Sequence, residues 1–145
     1  PKTLDQLREE ELVPFRAGIA AGADAVMMGH LIVQDADSQP APFSYRLVTE
    51  LLRQELGFDG VVMTDSLQMQ AMTDHYTGAE TAVKAVRAGV DLLLCPRDLR
   101  EAVQALTEAV DSGEIPLERV DESVLRILRL KLNQGILEAP PEGDH

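Results

Sequence analysis

Asp65 closes the apolar run Val61-Val62-Met63 in the stretch GFDGVVMTDSLQM (residues 57–69), and its sequence neighbours include no cation. A carboxylate at the lip of a buried strand is costly unless something there uses it. Two roles suit it. Asp65 is either a catalytic carboxylate or a turn carboxylate that accepts backbone N–H bonds from residues 66–69. His30 ends a comparable run, ADAVMMGH, and reads either as a histidine bonded within the same rim or as a ligand contact. The acids Asp35, Asp37 and Asp74, with His75 in the loop DHYTG, read as solvated turn residues. Asp74 is also placed to frame the mouth of a site.

The elements that must position these groups follow one grammar. AAGADAVMMGH, LGFDGVVMTDS and RAGVDLLLCPR each carry a Gly, one residue, an Asp and a short apolar run. Gly22, Gly57 and Gly89 suit the left-handed position that ends a helix. The apolar runs are too short for helices and read as strands buried on both faces. Cys95 falls within the third run and reads as buried filler.

The intervening segments carry helix signals. Thr3 and Gln6 can open the first, and Pro14 divides it. Ser44 is a natural N-cap, with Phe43 stapled onto Val48, ahead of Leu47, Val48, Leu51, Leu52 and Leu56 at helical spacing. Thr77 and Glu80 form a capping-box pair before Ala79, Ala82, Val83 and Val86. Asp98 and Glu101 repeat it before Leu99, Ala102, Val103, Leu106 and Val110, with Gly113 as the stop. Residues 121–134 make a final helix closed by Gly135.

Alternating buried strands and amphipathic helices mean an α/β fold built on a parallel sheet. Closed barrel and doubly wound sheet both fit, but no G-x-G-x-x-G follows a strand, which weakens the dinucleotide-binding version. A full (β/α) barrel takes about 250 residues and eight units, so three units amount to part of one. Parallel strands share a polarity. Their C-terminal ends therefore gather His30, Asp65 and the corner Pro96-Arg97-Asp98 along one rim, the face where such folds assemble sites.

Composition narrows the partners. A net charge of −12 argues against nucleic acid and against an anionic membrane surface. The nearest basic cluster, Arg126, Arg129 and Lys131, sits late in the last helix, where it complements the helix dipole. One cysteine excludes an internal disulfide and leaves no Cys-based metal cage, so neither metal nor cofactor is expected. No run approaches the roughly 20 apolar residues of a membrane span. The compartment stays open, cytoplasmic or secreted, since the chain carries no signal segment of its own and opens on Pro1 rather than Met.

Four runs, ADAVMMGH, PAPFSYRLVTELLRQELGF, LGFDGVVMTDSLQM and SVLRILRLKLNQGIL, occur in this order along the chain. Together they resemble the second half of the N-terminal (β/α)8 barrel of glycoside hydrolase family 3, over nearly the whole chain. The resemblance implies a partial TIM barrel of about three strands with flanking helices over residues 1–138, followed by a flexible tail at 139–145. In that family the Asp after the seventh strand, in an S/T-D context, is the catalytic nucleophile, a role that the resemblance carries to Asp65. Thr64-Asp65-Ser66-Leu67-Gln68-Met69 is closer to the S-D-D-L-S-M form of the β-N-acetylhexosaminidase branch than to the S-D-W form of the β-glucosidases, with Ser66 in place of the second acid.

By that resemblance the expected activity is a retaining, exo-acting β-N-acetylhexosaminidase, and the partner a carbohydrate, a β-linked N-acetylglucosaminide or glucoside. Asp65 would be kept ionised by donors from Thr64, Ser66 and the following amides. His30 would bond a sugar hydroxyl, and Met69 would form an apolar wall, unless it merely packs under the loop. The acid/base of that branch is a His near a K-H-F-P-G-H-G run, which these 145 residues do not contain. The chain alone is therefore expected to turn over little or no substrate.

Two other readings compete. A phosphate-binding barrel lyase or isomerase would want a Gly-rich phosphate loop and often a strand-end lysine. Lys2, Lys84 and Lys131 do not sit at strand ends. The other is a non-catalytic half-barrel that self-associates through exposed strand edges.

Overall fold

The computed structural model describes residues 2–138; the tail expected at 139–145 lies outside them. The chain opens with α1 (Leu4–Gln6), a segment of wider, i→i+5 helical turns at Leu7–Glu11, and α2 (Val13–Ala20). Strand β1 (Ala25–Met28) follows, then a 3₁₀ turn (Ala41–Phe43) and a second i→i+5 helix (Arg46–Glu55). Strand β2 (Val61–Thr64) leads to α3 (Gln70–Thr73), α4 (Gly78–Ala88), α5 (Leu99–Asp111) and α6 (Leu117–Asn133).

Local chemistry explains most boundaries. Thr3 and Gln6 close a reciprocal capping box, and so do Thr77 and Glu80. Pro14 cannot donate a backbone N–H to the turn before it, and the first helical stretch breaks at Leu12. Ser44 is extended, and its Oγ accepts the Leu47 N–H at 3.3 Å. Phe43 and Val48 meet in one buried cluster, as a staple requires. At Gly89 the left-handed backbone (φ 115°) is reinforced by crowding, because a Cβ there would lie 2.5 Å from Thr49 Oγ1.

β1 and β2 pair in parallel, with Ala25 beside Val61 and Met28 beside Thr64. The third strand is reduced to a single parallel bridge, Met63 to Leu92. Backbone bonds still dock it along β2: Asp91 and Leu92 N–H donate to the Val62 carbonyl, and Thr64 N–H donates to that of Leu92. The reduction has a cause at each end. Asp91 is held by side chains below, and the backbone turns left-handed at Cys95 (φ 47°) above.

One sheet face, carrying Val26, Met28 and Val62, packs against Val48, Leu52, Ala85 and Ala88 of the flanking helices. Complete burial of such a side chain contributes about 1.5–3 kcal/mol. The opposite face carries Met27 beside Met63, and Met27 is 50% exposed. Helices on one face with an open apolar face behind are what an arc of a barrel presents, rather than a doubly wound sheet.

Several expectations are corrected. Cys95 is exposed, because the run ends in a turn rather than a continued strand. Leu99 and Val103 are exposed, because nothing among the described residues covers that side of α5. The final helix starts at Leu117 rather than 121, since Pro116 (φ −61°) already sets the entry geometry. Glu101 closes no capping box; its carboxylate accepts the Ala79 N–H of α4 at 3.3 Å, while Asp98 caps α5 alone. Arg126 lies mid-helix and pairs with Asp91 instead of serving the helix dipole.

Candidate active site

β2 delivers Asp65 to the rim. Its backbone N–H donates to the Met28 carbonyl at 3.1 Å, which fixes the residue beside the end of β1. Side chains alternate along a strand, so Asp65 continues the open face of Met63, while Thr64 points into the core. The Asp65 carboxylate accepts the Ser66 N–H at 2.6 Å and makes no ion pair among the described residues. It caps no helix, since Met69 occupies the N-cap position of α3. One carboxylate oxygen holds a neighbouring amide, and the other has no protein hydrogen bond among the described residues.

Of the donors expected for Asp65, only the Ser66 amide serves. The Ser66 hydroxyl accepts the Gln68 N–H at 3.4 Å, and the Thr64 hydroxyl accepts the Leu94 N–H at 3.0 Å.

His30 is brought to Asp65. Burial pushes its imidazole below the ordinary value of 6.5, favouring the neutral ring, while the Asp65 carboxylate and backbone pull the other way. Among the described residues, neither buried ring nitrogen has a partner at hydrogen-bonding geometry, although the Asp65 backbone lies close by. A buried polar atom of this kind is costly unless water or a ligand meets it. Met69 lies on the loop after Asp65, 45% exposed, with its N–H donating to the Ser66 carbonyl. Such exposure argues against simple packing under the loop.

The remaining rim acids are turn residues. Asp37 accepts the Gln39 N–H at 3.1 Å, and Asp35 accepts the Leu4 N–H at 2.8 Å. His75 is exposed beside Tyr76; with Asp74, Arg97 and Glu101 it lines a separate 360 Å³ hollow. Among the described residues, no group of three or more His, Cys, Asp or Glu is placed to hold a metal.

The family described as "Glycosyl hydrolase family 3 N terminal domain" matches residues 1–130. The chain belongs to glycosyl hydrolase family 3. Among family 3 relatives, a protein named beta-hexosaminidase from Stenotrophomonas maltophilia (strain K279a) is 47% identical over 110 residues, covering 73% of this chain and 32% of that protein. One named beta-N-acetylglucosaminidase/beta-glucosidase from Cellulomonas fimi is 34% identical over 135 residues, or 86% of this chain and 24% of that one. A solved family 3 beta-N-acetylglucosaminidase from Paenibacillus sp. str. FPU-7 superposes with a TM-score of 0.90 at 41% identity, covering 99% of this chain and 29% of the other. The chain thus spans about a third or less of the length of these relatives. The likeness assigns the fold to part of the family's N-terminal TIM barrel, and the lyase and isomerase reading is set aside.

Sequence reasoning missed a second carboxylate. Asp91 opens the third strand at the opposite end of the sheet, and its side chain is 0% exposed. Arg53, Arg126 and the Ser123 hydroxyl donate to it, and Arg119 lies 3.7 Å away. Arg53 also donates to the Gly60 and Gly89 carbonyls, and Arg119 to those of Val86 and Val90. Burial pushes the Arg53 and Arg119 guanidinium pKa down, and Asp91 acts against that. The Gly-x-Asp grammar marked Asp24, Asp59 and Asp91 alike, so it gave no sign of which one is locked. Arg53 is distant in sequence from Arg119 and Arg126, and only the packing of the 46–55 helix and α6 around this strand end assembles them.

Proposed function

We propose that this chain carries the nucleophile side of a retaining glycosidase site, in a barrel that hydrolyses β-linked N-acetylglucosaminides in exo fashion. The observation that carries the reading is the Asp65 carboxylate at the end of β2, free of ion pairs among the described residues, beside a histidine whose buried nitrogens find no partner at hydrogen-bonding geometry among them. Names of relatives with this segment, beta-hexosaminidase and beta-N-acetylglucosaminidase, support the substrate class.

The free oxygen of Asp65 attacks the anomeric carbon as the bond from that carbon to the leaving oxygen breaks. A general acid outside these 145 residues protonates the leaving oxygen, which departs as a neutral alcohol. Water then attacks the glycosyl ester, giving its proton to the same group, and Asp65 departs as carboxylate. The neutral His30 ring holds a sugar hydroxyl, and the exposed Met69 offers an apolar wall. Because the second group lies elsewhere, the 145-residue chain alone has little or no turnover and associates through its open sheet edges.

A chimaera tests the activity. Residues 1–138 replace the matching span of the full-length Paenibacillus enzyme, and hydrolysis of aryl β-N-acetylglucosaminide and β-glucoside is followed. The acetamido sugar should be cleaved at least tenfold faster. Asp65→Ala should cost several powers of ten in kcat with folding intact. A chimaera that folds but cleaves neither substrate, or an Asp65→Ala variant at full rate, would refute the proposal.

A further inference from the structure

We infer that Thr64 is a positioning residue for Asp65, acting through its hydroxyl on the Leu94 peptide. The inference rests on the role proposed for Asp65. Thr64 is the last residue of β2 and is 0% exposed, in a run otherwise made of Val, Val and Met. A valine has the same shape and would suit a buried strand position; burying a hydroxyl there is costly unless the oxygen is used. It is used: Thr64 Oγ1 accepts the Leu94 N–H at 3.0 Å.

Leu94 is gripped a second time. Its carbonyl accepts the Leu67 N–H at 3.0 Å, and the Leu67 side chain is 2% exposed in the main core cluster. The residue before Asp65 and the residue two after it therefore fasten to one residue after the third-strand bridge, Leu94, through its N–H and its carbonyl. On the other side, the Asp65 N–H is bonded to Met28 of β1. The turn carrying the carboxylate is held between both neighbouring strands. Because the third strand has only one regular bridge to β2, the Thr64 hydroxyl supplies what the ladder lacks at the rim. A displacement of about 1 Å at a reacting group can cost about a hundredfold in rate.

The same chimaeric barrel carries the test, with Thr64→Val, Thr64→Ser and Asp65→Ala made side by side. Thr64→Val should lower kcat by about ten- to a hundredfold with KM within about threefold. Thr64→Ser, which keeps the oxygen, should stay within about threefold of the parent in kcat. Hydrogen exchange at the Leu94 amide should quicken at least tenfold in Thr64→Val and not in Thr64→Ser. Thr64→Val with unchanged kcat, or Thr64→Ser as slow as Thr64→Val, overturns the inference. If Thr64→Val does not fold, Thr64→Ser alone decides: parental kcat with a protected Leu94 amide supports the hydroxyl, and a tenfold loss overturns it. An active Asp65→Ala removes the catalytic reading, while the exchange data still judge the Thr64 contact separately.

Discussion

Asp65 and Asp91 carry the same functional group at opposite ends of neighbouring strands, and their surroundings differ: ion pairs lock Asp91, and none among the described residues holds Asp65. Asp91 is enclosed by guanidinium groups, so removing it strands buried cations. Breaking a buried pair in this way costs about 3–5 kcal/mol. Asp91→Ala should lower unfolding free energy by that amount in denaturant titrations, whereas Asp65→Asn, half-buried with one bond to the adjacent amide, should stay within about 1 kcal/mol. Equal losses for the two would contradict the division. His30 adds a pH signature. Its folded-state pKa lies below the unfolded value of 6.5, so the unfolded chain takes up a proton that the folded chain resists. Stability should therefore be unaffected by His30 above that value, fall as the pH drops through it, and stop falling below the folded-state pKa. In His30→Gln this part of the acid-side slope should vanish in thermal melts between pH 7 and 5; an unchanged slope would count against the buried neutral ring. At this scale Asp65 was legible because an acid ending an apolar run is locally anomalous. Asp91 was not, because its partners come from two distant segments, the 46–55 helix and α6.

At the scale of elements, helix starts and stops were written in local residue types, and the sheet was not. The capping boxes at Thr3 and Thr77 and the glycine stops depend on contacts within a few residues, which a linear reading captures. Thr77→Ala should cost about 1 kcal/mol through the lost cap of α4. Gly89→Ala should cost more, about 1–3 kcal/mol, because it adds left-handed strain to the clash with Thr49 Oγ1. Adding Thr49→Ala should return part of that loss and leave the backbone share, as measured by a double-mutant cycle of unfolding energies. Full recovery would show that sterics alone require the glycine. The third strand shows where local reading fails. Leu92-Leu93-Leu94 has the apolar content of a strand, yet its pairing is decided by Asp91 below, Cys95 above and the Thr64 hydroxyl beside it. The exposure of Leu99 and Val103 has a similar origin: periodicity identifies an apolar stripe but does not say what covers it.

Across the whole molecule, the uncovered surfaces fall where the rest of a barrel would stand. Phe15, Met27, Leu31 and Ile32 lie exposed on or near β1, and an apolar groove of 360 Å³ opens between α4, α5 and α6 beyond the third strand. Unpaired parallel edges with apolar flanks favour association, and the net charge of −12 opposes it. Light scattering on the 145-residue chain should show dimers or larger species whose share grows with salt as charge repulsion is screened. A monodisperse monomer at all salt concentrations would contradict the open-edge account. Strand polarity and the βα repeat were readable because each unit repeats the same grammar, and β1 and β2 do run parallel, with His30 and Asp65 just beyond their ends. Which surfaces are open was not readable, since covering is a property of the assembled barrel. The most direct measurement of the central claim is covalent trapping. The chimaeric barrel is treated with a fluorinated aryl glycoside that forms its glycosyl-enzyme faster than it hydrolyses it, then digested and sequenced by mass spectrometry. The account predicts one added sugar, on Asp65, and none in Asp65→Ala; a sugar attached to any other residue, or turnover with no adduct and an inverted product anomer, would contradict it.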